Sequence, residues 1–254
     1  MTGAPIPIEA LVAALALPPG PPPRRVPKAS LADNVPTAAD KRLIDGKLAR
    51  LDWVAAINPA TAAIAAATVD GLEVSTLNLL VASTRGSMPP RLAEMIHRTI
   101  PQPVILLHSE DAADAPAALS LAAKRAAERE AGRVVVTAVH DSGALSVDDR
   151  KFLAALSLDR LPSRNLAALY GGLIERVEAL AAARRAARPY RLAVSADELA
   201  CWRDALAGIA ELEARIAAHT AAMRKENRLA ARVEIGERVR QLRAELIECR
   251  AVLG

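Results

Sequence analysis

The C-terminal part of the chain carries two apolar seams, which constrain the fold more than any other feature of the sequence. In the first seam, large apolar side chains recur every seven residues. It consists of Trp202, Ile209, Ile216 and Met223, with Leu199 and Leu206 at the alternate positions. The second seam has strict four-three spacing and consists of Ile235, Val239, Leu242, Leu246, Cys249 and Leu253. Such spacing predicts two helices that each present one apolar edge to a partner helix.

The polar stretch 224–228 lies between the two seams and predicts a turn. Ser195 stands three residues before Glu198, a spacing that predicts the start of the first helix. Two helices of similar length joined by a polar turn form an antiparallel hairpin, which we expect over residues 195–254. Heptads do not say whether the partner helix belongs to the same chain, so a homo-oligomer is an open alternative.

Residues 37–145 combine helix and strand signals. Thr37 and Asp40 form a variant capping box that predicts a short helix through Lys47, and a second helix is predicted from Ser87 to Pro101. The strand-compatible segments are residues 51–57, 61–68, 72–82, 104–107, 118–123 and 133–139. The turn-favouring pairs Asn58-Pro59 and Asp70-Gly71 separate the first three of them. The pattern predicts an α+β class, with a small mixed or antiparallel sheet and packed helices, followed by an α-helical region that ends in the antiparallel coiled-coil hairpin.

The rest of the chain is predicted to be helical or extended. Residues 8–17 are compatible with a short amphipathic helix, and the proline-rich stretch 18–23 predicts an extended connector. Ser146 and Asp149 predict a helix start, and leucines at helical spacing follow. The predicted organisation is an N-terminal helix and connector (1–36), an α+β domain (37–145), a helical linker region (146–194) and the hairpin (195–254).

Composition limits the class of protein. Aromatic residues are only 2% of the chain and hydrophobic residues 52%, which predicts a core of small aliphatic side chains. The 33 basic and 29 acidic residues are interleaved, which is typical of a solvated mixed surface despite the net charge of +4. Cys201 and Cys249 fall on apolar stripes far apart, so we expect small hydrophobes, with no zinc site and no disulfide.

The N-terminal apolar run argues against export. No basic residue precedes it, prolines interrupt it, and no segment of the chain approaches about 18 apolar residues in a row. We therefore expect a cytoplasmic protein without a membrane span.

Three segments, residues 96–104, 119–125 and 161–170, resemble a bacterial family, domain-of-unknown-function family 4391. The resemblance covers nearly the whole chain, and the HRTIPQP segment at 97–103 is its most specific part. It implies a protein partner, because similar proteins are encoded beside helicase and DNA methyltransferase genes in restriction-type defence clusters. The chain departs from the family pattern on one strand, where Leu80, Val81 and Ala82 stand at the positions of a frequent Glu-x-Lys. It also has Ala123 where a histidine is expected.

Four basic residues are candidates for binding an anion or a partner: His97, Arg98, Lys124 and Arg125. They would converge on a phosphate or a partner carboxylate if the helix that ends at Pro101 lies beside the strand at 118–123. A structural interpretation competes with this one. His97 and Arg98 stand at the end of a helix, where cations interact favourably with the exposed carbonyl groups.

Catalytic signals are weak. A restriction-type nuclease needs two or three carboxylates and a lysine on adjacent strands to hold magnesium and orient a water. Asp70 and Glu73 could serve, but no lysine follows them, and a turn residue and a solvent-facing strand residue explain both. The chain has no Walker loop, nucleophile elbow, His-Glu-x-x-His motif or dinucleotide fingerprint, and we expect no cofactor and no metal.

These observations lead to two hypotheses of function. The first is a non-catalytic accessory or scaffolding subunit of a bacterial DNA-processing or anti-phage system, acting through protein–protein contacts. The alternative is a degenerate restriction-type nuclease or a nucleic-acid-binding module. This alternative would use Asp70, Glu73 and the basic group His97, Arg98, Lys124 and Arg125. Four arginines between helical segments could also contact a nucleic-acid backbone, although a solvated linker explains them equally: Arg184, Arg185, Arg188 and Arg191.

Overall fold

A computed structural model describes residues 3–18, 20–35, 37–127 and 134–254. Contacts between residues divide the chain into two units, Met1–Val177 and Glu178–Gly254. The helices are α1 (Ile8–Ala14), α2 (Lys28–Ala32), α3 (Ala38–Lys47), α4 (Pro59–Ala62), α5 (Pro90–Thr99), α6 (Arg150–Ala155), α7 (Leu166–Arg185), α8 (Ala196–Lys225) and α9 (Leu229–Val252). The strands are β1 (Arg24–Arg25), β2 (Leu48–Ile57), β3 (Ala67–Val69), β4 (Leu72–Val74), β5 (Leu77–Thr84), β6 (Val104–Glu110), β7 (Ala118–Ala126) and β8 (Val134–Asp141). The finer division into four segments remains a prediction.

Six strands of the first unit form one sheet in the order β1-β2-β5-β6-β7-β8. β5 and β6 are parallel, and the other neighbouring strands are antiparallel. A parallel pair needs a crossover connection, and α5 provides it between β5 and β6. The sheet is therefore mixed, and the predicted α+β class followed by a helical hairpin is confirmed.

One core of the first unit lies between the sheet and helices α2, α3 and α5. It is made of aliphatic side chains, as the low aromatic content predicts. The buried members include Leu31, Ile44, Leu51, Leu80, Leu92, Ile96 and Leu106. The side chain of Arg91 on α5 donates two hydrogen bonds, of 3.0 and 2.9 Å, to the carboxylate of Asp40 on α3. This pair fixes the two helices side by side on the sheet.

The three helix starts predicted from capping residues are confirmed. The Thr37 hydroxyl accepts a hydrogen bond from the Asp40 amide, and the Ser195 hydroxyl accepts one from the Glu198 amide, each at 3.1 Å. Ser146 caps a 3₁₀ turn that leads into α6. Each cap satisfies an amide that has no partner inside its helix.

The predicted strand at 61–68 is wrong over most of its length. Asn58 is a helix cap: its side chain accepts from the Ala60 and Thr61 amides, while the Thr61 hydroxyl accepts from the Asn58 amide. These bonds start the single turn α4 with Pro59 at its first position, so only residues 67–69 remain extended.

The turn at Asp70-Gly71 is confirmed, and both residues have positive φ, +50° and +73°. Val69 pairs with Leu72, so the turn is a two-residue hairpin loop between β3 and β4. The predicted strand at 72–82 is two strands, β4 and β5, which belong to different sheets. The β3–β4 hairpin therefore stands outside the six-stranded sheet.

In the second unit, α8 and α9 pack against each other, joined by residues 226–228. Along α8 the buried side chains are Trp202, Ala205, Ile209 and Leu212, and along α9 they are Val239 and Leu242, with Leu253 just beyond the helix. Cys249 is half-buried on the seam, but Cys201 is exposed, so its predicted place on the apolar stripe is wrong. Cys201 directly precedes Trp202, and that single step around the helix turns it away from the seam. No helix in the described ranges combines the length and apolar character that a membrane crossing requires.

Candidate functional site

His97 is a core residue rather than a surface cation. It lies in the last turn of α5, is fully buried, and its Nε2 atom is 3.1 Å from the Ser120 Oγ atom on β7. Burial, together with the nearby charge of Lys124, lowers the pKa of His97 to about 3, so the imidazole is neutral near pH 7. Its Nδ1 atom is buried and has no hydrogen-bond partner among the described residues.

Lys124 on β7 satisfies the carbonyl groups that follow α5. Its ammonium group donates to the carbonyl oxygens of Ile100 at 2.7 Å and Gln102 at 2.9 Å. Burial lowers its pKa to about 7. The helix end and the strand are therefore neighbours, as the binding hypothesis requires. The cation that interacts with the carbonyl groups at the helix end is Lys124 from the strand, and not His97 as the sequence suggested.

The four candidate basic residues do not form one surface patch. His97 and Lys124 make their hydrogen bonds within the first unit, whereas Arg98 is exposed. Arg125 is half-buried, and its guanidinium donates to the carbonyl oxygen of Ala126 at 3.3 Å. Anion or partner binding remains a prediction for this group, with Arg98 as its solvent-facing member.

A cleft of about 170 Å³ brings Lys124 together with Asp70. The β3–β4 hairpin, β7 and α7 surround it, and apart from Asp70, Lys124 and Tyr170 its lining is apolar. The Asp70 carbonyl oxygen accepts from the Ala126 amide at 3.1 Å, which holds the turn against β7. Sequence spacing could not show that both residues line one cleft, because the lysine comes from a strand that lies more than fifty residues further along the chain.

The cleft lacks most of what a nuclease centre needs. Glu73 is exposed on β4 and does not line it. Leu80 and Ala82, at the family positions of the acid and the lysine, are buried in the core. Within the ranges that the structure describes, no group of three or more His, Cys, Asp or Glu side chains could hold a metal ion. Of the two carboxylates considered for a metal role, only Asp70 lines this cleft.

Tyr170 ties α7 to the sheet. Its hydroxyl donates to the Val104 carbonyl oxygen and accepts from the Ala122 amide, both at 2.9 Å. Burial raises its pKa above the ordinary range of tyrosine. The hydroxyl therefore serves as a neutral connector between strands and helix rather than as an acid or base in the cleft.

Sequence reasoning missed a second histidine contact in the first unit. The Nε2 atom of His108 on β6 lies 2.9 Å from a carboxylate oxygen of Asp141 on β8. The contact spans β7, which separates the two strands in the sheet. Only the strand order brings these residues together, and no local spacing predicts it.

Trp202 centres the core of the second unit. It is 3% exposed and packs with Ala182, Ile209 and Leu253, and the Arg191 guanidinium lies 4.7 Å from the centre of its ring. Arg191 also forms an ion pair with Glu198, and Arg185 forms one with Glu213. Two of the four arginines that could contact nucleic acid are thus held by carboxylates within the unit.

The second unit exposes much apolar surface. Among the described residues, ten large apolar side chains are exposed, and six of them lie in this smaller unit. These six are Leu192, Val194, Leu229, Val233, Ile247 and Val252. Val194 and Leu229 are the most open, at 86% and 76%. Four of the six lie on α9, and a group of exposed apolar side chains on one helix is typical of a surface that another protein covers.

Comparison with known protein families places a match over most of the chain. The model of a family described as Domain of unknown function (DUF4391) matches residues 17–246. No curated protein and no solved structure matches the chain.

Proposed function

This chain belongs to the DUF4391 family, and we propose that it is a non-catalytic accessory or scaffolding subunit of a bacterial DNA-processing or anti-phage system. It acts through protein–protein contacts in the cytoplasm. The first unit serves as a rigid body, and the α8–α9 hairpin offers the partner-binding surface. The partner class is a helicase or DNA methyltransferase of a restriction-type assembly, which the family resemblance suggests.

The exposed apolar side chains of the hairpin carry this proposal. Burying an exposed Leu, Ile or Val stabilises a complex by about 1.5–3 kcal/mol for each side chain that becomes fully covered. Leu229 and Val233 are one helical turn apart at the start of α9, close to the connection with α8. They form an apolar spot at the tip of the hairpin.

Basic residues around that spot offer the nucleic-acid-binding alternative a further contact surface. Arg224, Lys225, Arg228 and Arg232 are all exposed there, and only Glu226 lies among them to offset the charge. Arg228 is 3.4 Å from Glu226. If the tip bound nucleic acid, affinity would fall steeply with salt, and replacing the four basic residues by Gln would abolish it.

A co-purification experiment tests the hairpin's role. The tagged full-length chain is co-expressed with the proteins encoded beside it, and partner recovery is compared with that of the Leu229→Glu/Val233→Glu variant. Val135→Glu/Val139→Glu, two exposed valines on β8 of the first unit, is the matched control. We expect the hairpin variant to lose the partner and the control to keep it. Equal recovery by both would overturn the hairpin's role.

Nuclease activity has its own test. Magnesium-dependent cleavage of DNA by the purified chain, abolished by Glu73→Ala, would favour the enzyme over the accessory subunit. Salt-sensitive DNA binding without cleavage would favour the nucleic-acid-binding module.

A further inference from the structure

α9 has a second apolar edge that α8 does not cover. Its seam toward α8 contains Ile235, Val239, Leu242 and Leu246, which are buried or half-buried. A separate set of small and apolar residues follows another side of the helix, and we call it the outer stripe. It consists of Leu229, Val233, Ala244, Ile247 and Ala251, and the half-buried Gly236, beside Met223 of α8, lies at its edge. Leu229, Val233 and Ile247 are 76%, 53% and 68% exposed.

The outer stripe follows an eleven-residue repeat. Val233 is repeated by Ala244, Gly236 by Ile247, and Leu229 by Arg240 and then Ala251. Eleven residues complete three helical turns almost without drift, so the stripe runs nearly straight along α9. Seven-residue steps also connect Val233 with Ile247 through Arg240, and Ala244 with Ala251, but the arginine interrupts the apolar pattern.

Opposite charges flank the stripe on its two sides. Arg232 and Arg243 lie on one side, and Glu237 and Glu248 lie on the other, and all four side chains are exposed. Each glutamate follows its arginine by five residues, and the two arginines are themselves eleven residues apart. The charged pairs therefore share the repeat of the stripe that they border.

The charge pattern selects one orientation for a second copy. When two identical helices pack in parallel, each side of one stripe faces the opposite side of the other, so arginines meet glutamates. In antiparallel packing the same sides meet, and arginines face arginines, which is destabilising. Parallel packing can place Arg232 near Glu237 of the second copy and Arg243 near Glu248.

We propose that the chain forms a parallel two-fold homodimer through the outer stripe of α9. Arg240 lies within the stripe, 3.7 Å from Glu237 of its own helix. A polar residue at the centre of such an interface weakens association but favours one register. The dimer uses Leu229 and Val233, which are also assigned to the proposed partner surface. It is measured on the purified chain alone, so its failure leaves the accessory function to be tested separately.

Disulfide cross-linking tests the orientation. In a Cys201→Ser/Cys249→Ser background, Ala244→Cys and Ala251→Cys are introduced singly and oxidised. Parallel pairing places each new cysteine beside its own copy, so both variants should form disulfide-linked dimers. Ala210→Cys, exposed on α8, is the control and should remain monomeric. Antiparallel pairing centred on Arg240 would instead link residue 244 to residue 236, so an absence of dimers from Ala244→Cys and Ala251→Cys would overturn the proposal.

Sedimentation equilibrium of the unmodified chain tests the charge pairing. Arg243→Glu should raise the dimer dissociation constant by roughly tenfold or more, and adding Glu248→Arg should restore it. Both positions are exposed, and circular dichroism should show an unchanged helical content. A wild-type chain that stays monomeric at all concentrations, or a double variant that is no better than Arg243→Glu, would contradict the parallel dimer.

Discussion

The Nε2 atom of His97 lies 3.1 Å from the Oγ atom of Ser120, and both side chains are fully buried where α5 packs on β7. This contact joins the crossover helix to a strand near one edge of the sheet. The imidazole stays neutral there, so a residue that resembles a surface cation in the sequence is part of the core.

Acid should destabilise the protein through His97. Its pKa is about 3 in the folded chain against an ordinary value of 6.5, so the unfolded chain binds a proton first as the pH falls. The contribution of the neutral imidazole is complete above pH 6.5 and is lost progressively between about 6.5 and 3. In urea unfolding at a series of pH values, the wild-type free energy of unfolding should fall by up to about 1.4 kcal/mol per pH unit within this window. His97→Gln should remove this dependence on pH. Wild-type and variant curves that stay parallel across this window would contradict the buried neutral histidine.

Lys124 should produce a separate effect at alkaline pH. Burial lowers its pKa to about 7 from an ordinary 10.5, so between these values the unfolded chain binds the proton more tightly. The free energy of unfolding should therefore increase as the pH rises from about 7 toward 10.5. Lys124→Met should flatten this part of the curve while also removing the hydrogen bonds to Ile100 and Gln102. Lys151→Met, at an exposed lysine on α6, should leave the curve unchanged.

Tyr170→Phe should destabilise the first unit without changing its fold. The substitution removes only the hydroxyl that accepts from the Ala122 amide and donates to the Val104 carbonyl oxygen. A buried amide left without its partner costs about 1–3 kcal/mol. Denaturant unfolding measures the loss, and Ser83→Ala, at a half-buried position on β5, should change stability by less than about 0.5 kcal/mol. An equal change in both variants would show that the hydroxyl contributes little.

Trp202→Ala should loosen the second unit. The side chain is 3% exposed and is the largest in its core, and the variant also removes the ring under the Arg191 guanidinium. Truncating a buried aromatic residue costs about 3–5 kcal/mol. Limited proteolysis should cut the variant faster after residue 178, while Val194→Ala, at an 86% exposed position, should resist like the wild type. Unchanged proteolysis of the Trp202 variant would contradict its central place in this core.

Local signals predicted much of the fold. The caps at Thr37, Ser146 and Ser195 each depend on residues two or three positions apart, and the seams depend on spacing along a single helix. Asn58-Pro59 shows where such signals are ambiguous, because the same residues suit a turn and a helix start. The hydroxyl of Thr61, which accepts from the Asn58 amide, accompanies the helix start.

The candidate site depended on contacts that are distant in sequence, and these were not predictable. The protonation of His97 depends on the burial that β7 provides, and the cleft of Asp70 forms only because the β3–β4 hairpin docks beside Lys124. Neither the burial of His97 nor the cleft follows from sequence spacing, because both depend on which strands are neighbours in the sheet. The outer stripe of α9 was missed for a different reason, since Arg240 interrupts its apolar pattern in the sequence.

The most direct test of the accessory-subunit proposal is native mass spectrometry of the full-length chain co-expressed with the proteins encoded beside it. We expect a stable complex that contains this chain together with a helicase or DNA methyltransferase. The Leu229→Glu/Val233→Glu variant should be absent from that complex. A spectrum in which the chain appears only alone or with its own copies would contradict the proposed function.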